Sequence, residues 1–184
     1  AVVFCTMSII MENILYLSLF RYRIRSIDSK HTDMLRSKRK AVIFMQAIEI
    51  KKGIYWVGAI DWSMRSFHGY DTQRGSTYNA YLIIDDKITL IDTVKHGFEE
   101  EMLARISSVI DPARIDYIIS NHVEPDHSFG VPLISSLAPN AKVVTSAPNG
   151  LKGLRAYYGE LPYETVKAGD TLSIGKRTLA FVPT

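Results

Sequence analysis

The segment from Ile118 to Gly130 reads IISNHVEPDHSFG and carries four potential metal-binding side chains within six positions. These are His122, Glu124, Asp126 and His127. They follow a short apolar run, Tyr117–Ser120, which predicts a buried strand. Functional residues of α/β proteins commonly lie in loops at the C-terminal ends of such strands. The segment therefore predicts a metal site built from imidazole and carboxylate ligands.

We expect the loop after this strand to be extended, because Pro125 has a fixed φ and disfavours helical geometry at Glu124. In an extended chain alternate side chains leave on the same side, so His122, Glu124 and Asp126 would face one way. His127 follows directly and would point towards a second metal position. The alternative is a polar, solvated loop whose charges are close together by chance. The motif alone does not identify the metal.

Before this segment the sequence predicts strands and then one helix. Residues 47–61 give two short β-type runs, and residues 77–93 predict a hairpin around the polar turn 85–87. Residues 97–112 predict an amphipathic helix whose apolar face, at a spacing of three to four, includes Met102 and Ile106. Three glutamates lie in its first turn, where the helix dipole favours them. This half of the chain is therefore expected to begin with paired strands.

After the segment the predicted elements alternate. Residues 130–139, 141–147 and 149–160 predict a helix, a strand and a second helix. We expect Asn149 to cap the second helix and Gly159 to end it. Residues 163–184 predict two or three further strands. Paired strands followed by alternating strands and helices indicate a layered α/β fold.

The basic charge of the chain is confined to its first quarter. Residues 1–44 contain eight Lys or Arg and three Asp or Glu, whereas residues 45–184 contain fourteen and sixteen. The second part therefore has no basic surplus that would favour a nucleic acid partner. Cys5 is the only cysteine, which excludes an intrachain disulfide and fits a reducing, cytoplasmic location.

Residues 1–44 do not resemble the start of a folded domain. Their apolar run is interrupted by Glu12 and Asn13, which are costly in a membrane, and the basic residues follow the run instead of preceding it. We expect this part to be a leader or an extended translation start, with a weak membrane anchor as the alternative. Residues 45–184 are expected to form the functional domain, without a membrane association.

An H-x-[HE]-x-D-H motif after a strand resembles the metallo-β-lactamase superfamily. The resemblance implies an αβ/βα sandwich with a two-metal site, of which this chain would be the first part only. The segment GSTYNAYLIIDDKITLIDT, residues 75–93, resembles the early hairpin of that superfamily, and Asp92 closes its second strand. The hydrolytic members carry histidine at the third motif position, where this sequence has Glu124.

A glutamate at that position resembles the flavodiiron proteins, the A-type flavoproteins. The segment WSMRSFHGYDTQRGSTYNAYLI, residues 62–83, is also similar to that family. The resemblance implies reduction of dioxygen to water or of nitric oxide to nitrous oxide at two non-haem iron ions, with FMN and a rubredoxin-like electron donor. It also implies a head-to-tail homodimer. The alternative is a zinc-dependent hydrolase of the same fold that acts on a thioester, lactone or ester.

The resemblance assigns roles to individual residues. It implies that His122 and Glu124 bind one iron, and that Asp126 and His127 bind the other. It places His68 above the pocket as a hydrogen-bond donor to the bound substrate. Tyr70 is a weaker candidate for the pocket. Asp92 is expected either to accept the hydrogen bond that orients a ligand histidine or to be a turn residue at the end of the strand. His31 and His96 are expected to be surface residues.

The resemblance also implies parts beyond Thr184. These are a further histidine, a bridging aspartate, a last histidine and a flavodoxin-like FMN domain. Residues 1–184 alone are therefore expected to be inactive.

Overall fold

A seven-stranded mixed sheet forms the centre of residues 45–182, the part of the chain described by this computed structural model. The strands are β1 (Ile48–Lys51), β2 (Ile54–Trp56), β3 (Ala59–Asp61), β4 (Ser66–Phe67), β5 (Tyr70–Asp71), β6 (Ser76–Tyr78), β7 (Tyr81–Ile83), β8 (Thr89–Ile91), β9 (Tyr117–Ser120), β10 (Lys142–Ser146), β11 (Tyr163–Val166), β12 (Thr171–Ser173) and β13 (Thr178–Ala180). The helices are α1 (Glu99–Ser107), α2 (Pro125–Ser128), α3 (Val131–Leu137) and α4 (Asn149–Tyr158), with a 3-10 turn at Pro112–Arg114.

The order of the large sheet is β1-β2-β7-β8-β9-β10-β11. Pairing is antiparallel from β1 to β8 and parallel from β8 to β11. The pairs β3-β6, β4-β5 and β12-β13 form separate two-stranded sheets. The predicted α/β fold is confirmed. Residues 163–184 were predicted to form two or three strands, and their described part contains three, β11, β12 and β13.

The predicted hairpin around residues 85–87 is confirmed, with Tyr81 opposite Ile91. Its first strand is shorter than expected, because Ser76–Tyr78 pairs with β3 in another sheet. The predicted cap of α4 is wrong. Asn149 is already the first helical residue, Pro148 precedes it, and no side chain caps this end. Gly159 does end the helix, with a φ of 71°.

Two apolar clusters cover the two faces of the large sheet. Because successive side chains of a strand point to opposite faces, Ile118 belongs to the cluster under the helices and Ile119 to the cluster on the other face. Met102 and Ile106 of α1 are buried in the first cluster, as the helical spacing predicts. The β12-β13 pair packs Leu179 onto the second face. Both sides of β9 are therefore buried before the chain reaches residues 121–130, the ligand segment, which carries the four potential metal ligands.

Replacing Ile118 by alanine should destabilise the domain by about 2–5 kcal/mol, because a cavity would form in the middle of β9. The Ile118 side chain is 0% exposed. The matched control is Ile48→Ala on β1, where the side chain is 55% exposed and a loss below about 1 kcal/mol is expected. Urea unfolding of both variants measures the difference. Equal losses would contradict the assigned core.

No helix among residues 45–182 is both long enough and apolar enough to cross a bilayer. The expectations for residues 1–44, including the leader, the alternative membrane anchor, Cys5 and His31, lie outside the described residues. The same holds for Thr184 and the parts expected after it.

Candidate metal centre

The ligand segment leaves β9 and turns into a short helix. Glu124 has an extended conformation, with φ −63° and ψ 146°, and α2 begins at Pro125. The prediction of an extended loop through Asp126 is therefore wrong. Proline is well tolerated at the first position of a helix because its missing N–H needs no partner there. As a consequence Asp126 and His127 project from a helical turn, while His122 and Glu124 project from extended chain.

The four potential ligands form two pairs. His122 Nε2 lies 3.4 Å from Glu124 Oε2, and His127 Nε2 lies 3.6 Å from Asp126 Oδ2. The two imidazole rings are neighbours, with 5.3 Å between their centroids. Within residues 45–182, no group of three His, Cys, Asp or Glu side chains is arranged to hold a metal ion. Each pair would therefore need additional ligands.

The imidazole of His127 is buried, and one of its two ring nitrogens lacks a hydrogen bond from the described protein. Its Nδ1 atom is buried and has no hydrogen-bond partner among the described residues. Burial lowers the pKa of His127, although the nearby Asp126 opposes this effect. Burial therefore favours the neutral imidazole, which is the form that binds metal ions. A structural histidine would normally have both ring nitrogens hydrogen-bonded, whereas in this part of the chain Nδ1 has no partner and Nε2, beside the Asp126 carboxylate, is placed to bind a metal ion.

Asp92 holds the start of the ligand segment through its backbone. Its carboxylate accepts hydrogen bonds from the Asn121 backbone N–H at 2.7 Å, the Asn121 side-chain amide at 3.3 Å and the His122 backbone N–H. The residue has a φ of 54°, in the left-handed region. Burial raises the pKa of Asp92 to about 7. The hydrogen bonds described for this carboxylate therefore hold the main chain at the point where His122 leaves β9.

His68 reaches the centre from the β4-β5 turn. Its Nε2 atom lies 3.9 Å from Glu124 Oε2, and its side chain is 57% exposed. The ring meets Phe67 edge to face at a centroid distance of 4.2 Å. His68 has a φ of 50°. Tyr70 is on the same hairpin but is 77% exposed, and no described hydrogen bond or ring contact joins it to the ligand segment.

A buried carboxylate fixes the start of the segment that carries His68. Asp61 accepts hydrogen bonds from the Ser63 hydroxyl at 2.6 Å and the Tyr78 hydroxyl at 2.9 Å. The hydrogen bond from Ser63 lowers the pKa of Asp61, although burial opposes this effect. Lys95 Nζ donates to the Tyr78 hydroxyl at 3.2 Å. No sequence pattern singles out this group, because Asp61, Tyr78 and Lys95 are separated from one another by 17 positions at each step.

Thr93 is a second contributor that the sequence analysis did not identify. It follows Asp92 and is buried, and both its N–H and its hydroxyl donate to the carbonyl oxygen of His127. The only signal in the sequence was its position after the aspartate that closes the hairpin.

His96, expected at the surface, has a side chain that is 76% exposed and a ring 4.5 Å from that of Phe129.

Comparison with known proteins identifies similar chains. The family model described as "ODP family beta lactamase" matches residues 77–184. A nitric oxide reductase of Moorella thermoacetica is 45% identical over 141 residues, which cover 74% of this chain and 35% of that protein. The structure of a rubredoxin oxygen:oxidoreductase from Desulfovibrio gigas aligns with a TM-score of 0.70 and 45% identity, over 74% of this chain and 35% of that one.

The crystal structure of a flavodiiron protein from Giardia intestinalis aligns with a TM-score of 0.69 and 39% identity. This alignment covers 73% of the present chain and 33% of the other. The chain therefore spans about a third of the length of the relatives it matches.

Proposed function

Because the chain belongs to the ODP family of beta-lactamase-like domains, we propose that it forms the iron-binding part of a flavodiiron oxidoreductase. The whole protein would reduce dioxygen to water or nitric oxide to nitrous oxide. Relatives named as a nitric oxide reductase and a rubredoxin-oxygen oxidoreductase support this proposal at 45% and 46% identity.

The observation that carries the proposal is the pairing of the four ligands at the end of β9. His122 with Glu124, and Asp126 with His127, offer one imidazole and one carboxylate to each of two metal positions. Burial of the His127 ring lowers its pKa and favours the neutral imidazole, the form that binds metal ions, which supports the same assignment. Nitrogen and oxygen donors of this kind suit non-haem iron.

Glu124 favours iron over zinc in this proposal. A carboxylate adds negative charge and a hard oxygen donor, which stabilises oxidised iron relative to a site built from imidazoles alone. Zinc has no redox chemistry and would gain nothing from this stabilisation. When bound, the two iron ions would supply a binding position for the substrate and electrons for its reduction.

The chain's own residues would position the substrate and supply a proton. Reduction of either substrate consumes protons, so a donor close to the metal positions is needed. His68 Nε2 is our candidate, because it lies 3.9 Å from the Glu124 carboxylate on a half-exposed ring with access to solvent. Tyr70, on the same hairpin as His68, would be the weaker pocket candidate because its side chain is 77% exposed. Asp92 would keep the His122 main chain in place.

The remaining parts of the proposal concern the whole protein. Electrons would pass from a rubredoxin-like donor to FMN in a flavodoxin-like domain, and then to the iron ions. A head-to-tail homodimer would bring the FMN of one subunit to the iron ions of the other. We place this assembly in the cytoplasm.

The test is to purify the complete protein without oxygen and to measure its metal content and its activity. About two iron ions per chain and consumption of nitric oxide or oxygen with reduced rubredoxin are expected. Zinc in place of iron, together with hydrolysis of an ester, thioester or lactone, would overturn the proposal in favour of the hydrolase.

A further inference from the structure

Thr93 connects the end of β8 to the C-terminal end of the α2 turn. Its backbone N–H donates to the His127 carbonyl oxygen at 2.7 Å, and its hydroxyl donates to the same oxygen at 2.9 Å. The hydroxyl also accepts a hydrogen bond from the Gly130 N–H at 3.1 Å. The side chain is 0% exposed, so water does not compete for these bonds. One buried hydroxyl therefore fixes the main chain on both sides of Ser128.

His127 lacks the hydrogen bond that usually orients a metal-binding imidazole. Such a ring normally donates its second N–H to a carboxylate, a carbonyl or water, and this contact fixes the ring. In the described part of the chain, Nδ1 of His127 has no such partner. The position of the ring is therefore set by its packing and by its main chain, which Thr93 holds.

We infer that Thr93 is a positioning residue for one metal position, acting through the main chain of His127. The inference rests on the proposed function, because it takes His127 as a ligand. Gly130 belongs to the same arrangement. A Cβ atom there would lie 3.0 Å from Thr93 Cβ and 2.8 Å from the flexible end of Met102, so a larger residue would require the contact between Thr93 and the segment to shift.

The test compares Thr93→Val, which removes the hydroxyl, with Thr93→Ser, which retains it. Each complete protein is loaded with ferrous iron, and the affinity and Mössbauer spectrum of the two iron positions are measured. Thr93→Val should weaken iron binding at one position by about 10- to 100-fold, the usual effect of losing an outer contact. Thr93→Ser should restore binding at that position.

Thr89→Val is the matched control. Thr89 lies on β8, is 0% exposed, and its hydroxyl has no hydrogen-bond partner among the described residues. This variant removes a buried hydroxyl from the same strand without touching the ligand segment. It should bind both iron ions as the wild type does, and the thermal unfolding of the metal-free proteins reports any general loss of stability.

Unchanged iron binding in Thr93→Val, or equal weakening in Thr93→Val and Thr93→Ser, would overturn the inference alone. If Thr93→Val does not fold, Gly130→Ala serves instead: its Cβ would lie 3.0 Å from Thr93 Cβ, so the contact between Thr93 and the segment must shift and the same iron position should weaken. Unchanged iron binding in that variant would also overturn the inference. A wild-type protein that binds no iron would overturn the proposed function, and this inference with it.

Discussion

Replacing His122 by alanine in the complete protein should remove iron from one of the two metal positions and reduce substrate consumption by more than about 100-fold. Loss of an outer contact typically costs 10- to 100-fold, and loss of a direct ligand should cost more. The side chain of His122 is only 19% exposed, and its Nε2 atom lies 3.4 Å from Glu124 Oε2. Without the imidazole, Glu124 remains as the only donor of that pair. Iron analysis, Mössbauer spectroscopy and an oxygen or nitric oxide electrode measure the result.

His96→Ala is the control for this variant. It removes another imidazole from a side chain that is 76% exposed and pairs with Glu99, away from the four ligands. Both iron ions should remain in this variant. If His122→Ala also retains both iron ions, His122 is not a ligand, and the two-pair arrangement at the end of β9 does not describe the metal centre.

The second large effect concerns stability. Replacing Asp85 by alanine should destabilise the domain by about 3–5 kcal/mol, because it leaves a buried guanidinium without its counter-charge. The side chains of Asp85 and Arg177 are 1% and 4% exposed, and Arg177 Nη1 lies 2.7 Å from Asp85 Oδ2. Arg177 also donates to the carbonyl oxygens of Ile84 and Lys52, each at 3.0 Å. The pair therefore joins the β12-β13 hairpin to two turns of the large sheet.

Asp86→Ala is the neighbouring control. Its carboxylate is 68% exposed and lies 3.6 Å from Lys176 Nζ, so a change below about 1 kcal/mol is expected. Urea unfolding of the two variants compares the losses. A small loss for Asp85→Ala would show that the ion pair does not hold the hairpin to the sheet.

The same pair predicts how stability depends on pH. Burial alone would raise the pKa of Asp85, but hydrogen bonds from the Lys176 and Asp86 backbone N–H groups and from Arg177 hold it below its ordinary value. A carboxyl with a lowered pKa stabilises the fold above its unfolded pKa, near 3.9, and loses this contribution as the pH falls further. The wild type should therefore lose more stability below about pH 4 than Asp85→Ala does.

Patterns within one element were readable from the sequence. The spacing of Met102 and Ile106 predicted the buried face of α1, and the apolar run 117–120 predicted β9. The position of the four potential ligands directly after a buried strand was likewise predicted. These features depend on residues that are close together along the chain.

The geometry of the ligand segment was not predictable in the same way. Pro125 is compatible both with an extended loop and with the first position of a helix, and the local sequence does not decide between them. The hydrogen bonds of Thr93 to residues 127 and 130 join the end of β8 to the end of α2. These contacts hold the turn in place. They join residues more than thirty positions apart along the chain, and a single sequence does not reveal such contacts.

The anchoring of the ligand segment by Asp92 and Thr93 bears on how a metal ion is acquired. These hydrogen bonds join protein atoms alone, so the conformational entropy of ordering the segment is lost during folding. A site ordered in advance leaves little reorganisation for the binding step, unlike domains that fold only around their metal. Loading and exchange of iron should then leave the main chain of the segment almost unchanged, and the rate should be set by access to the ligands.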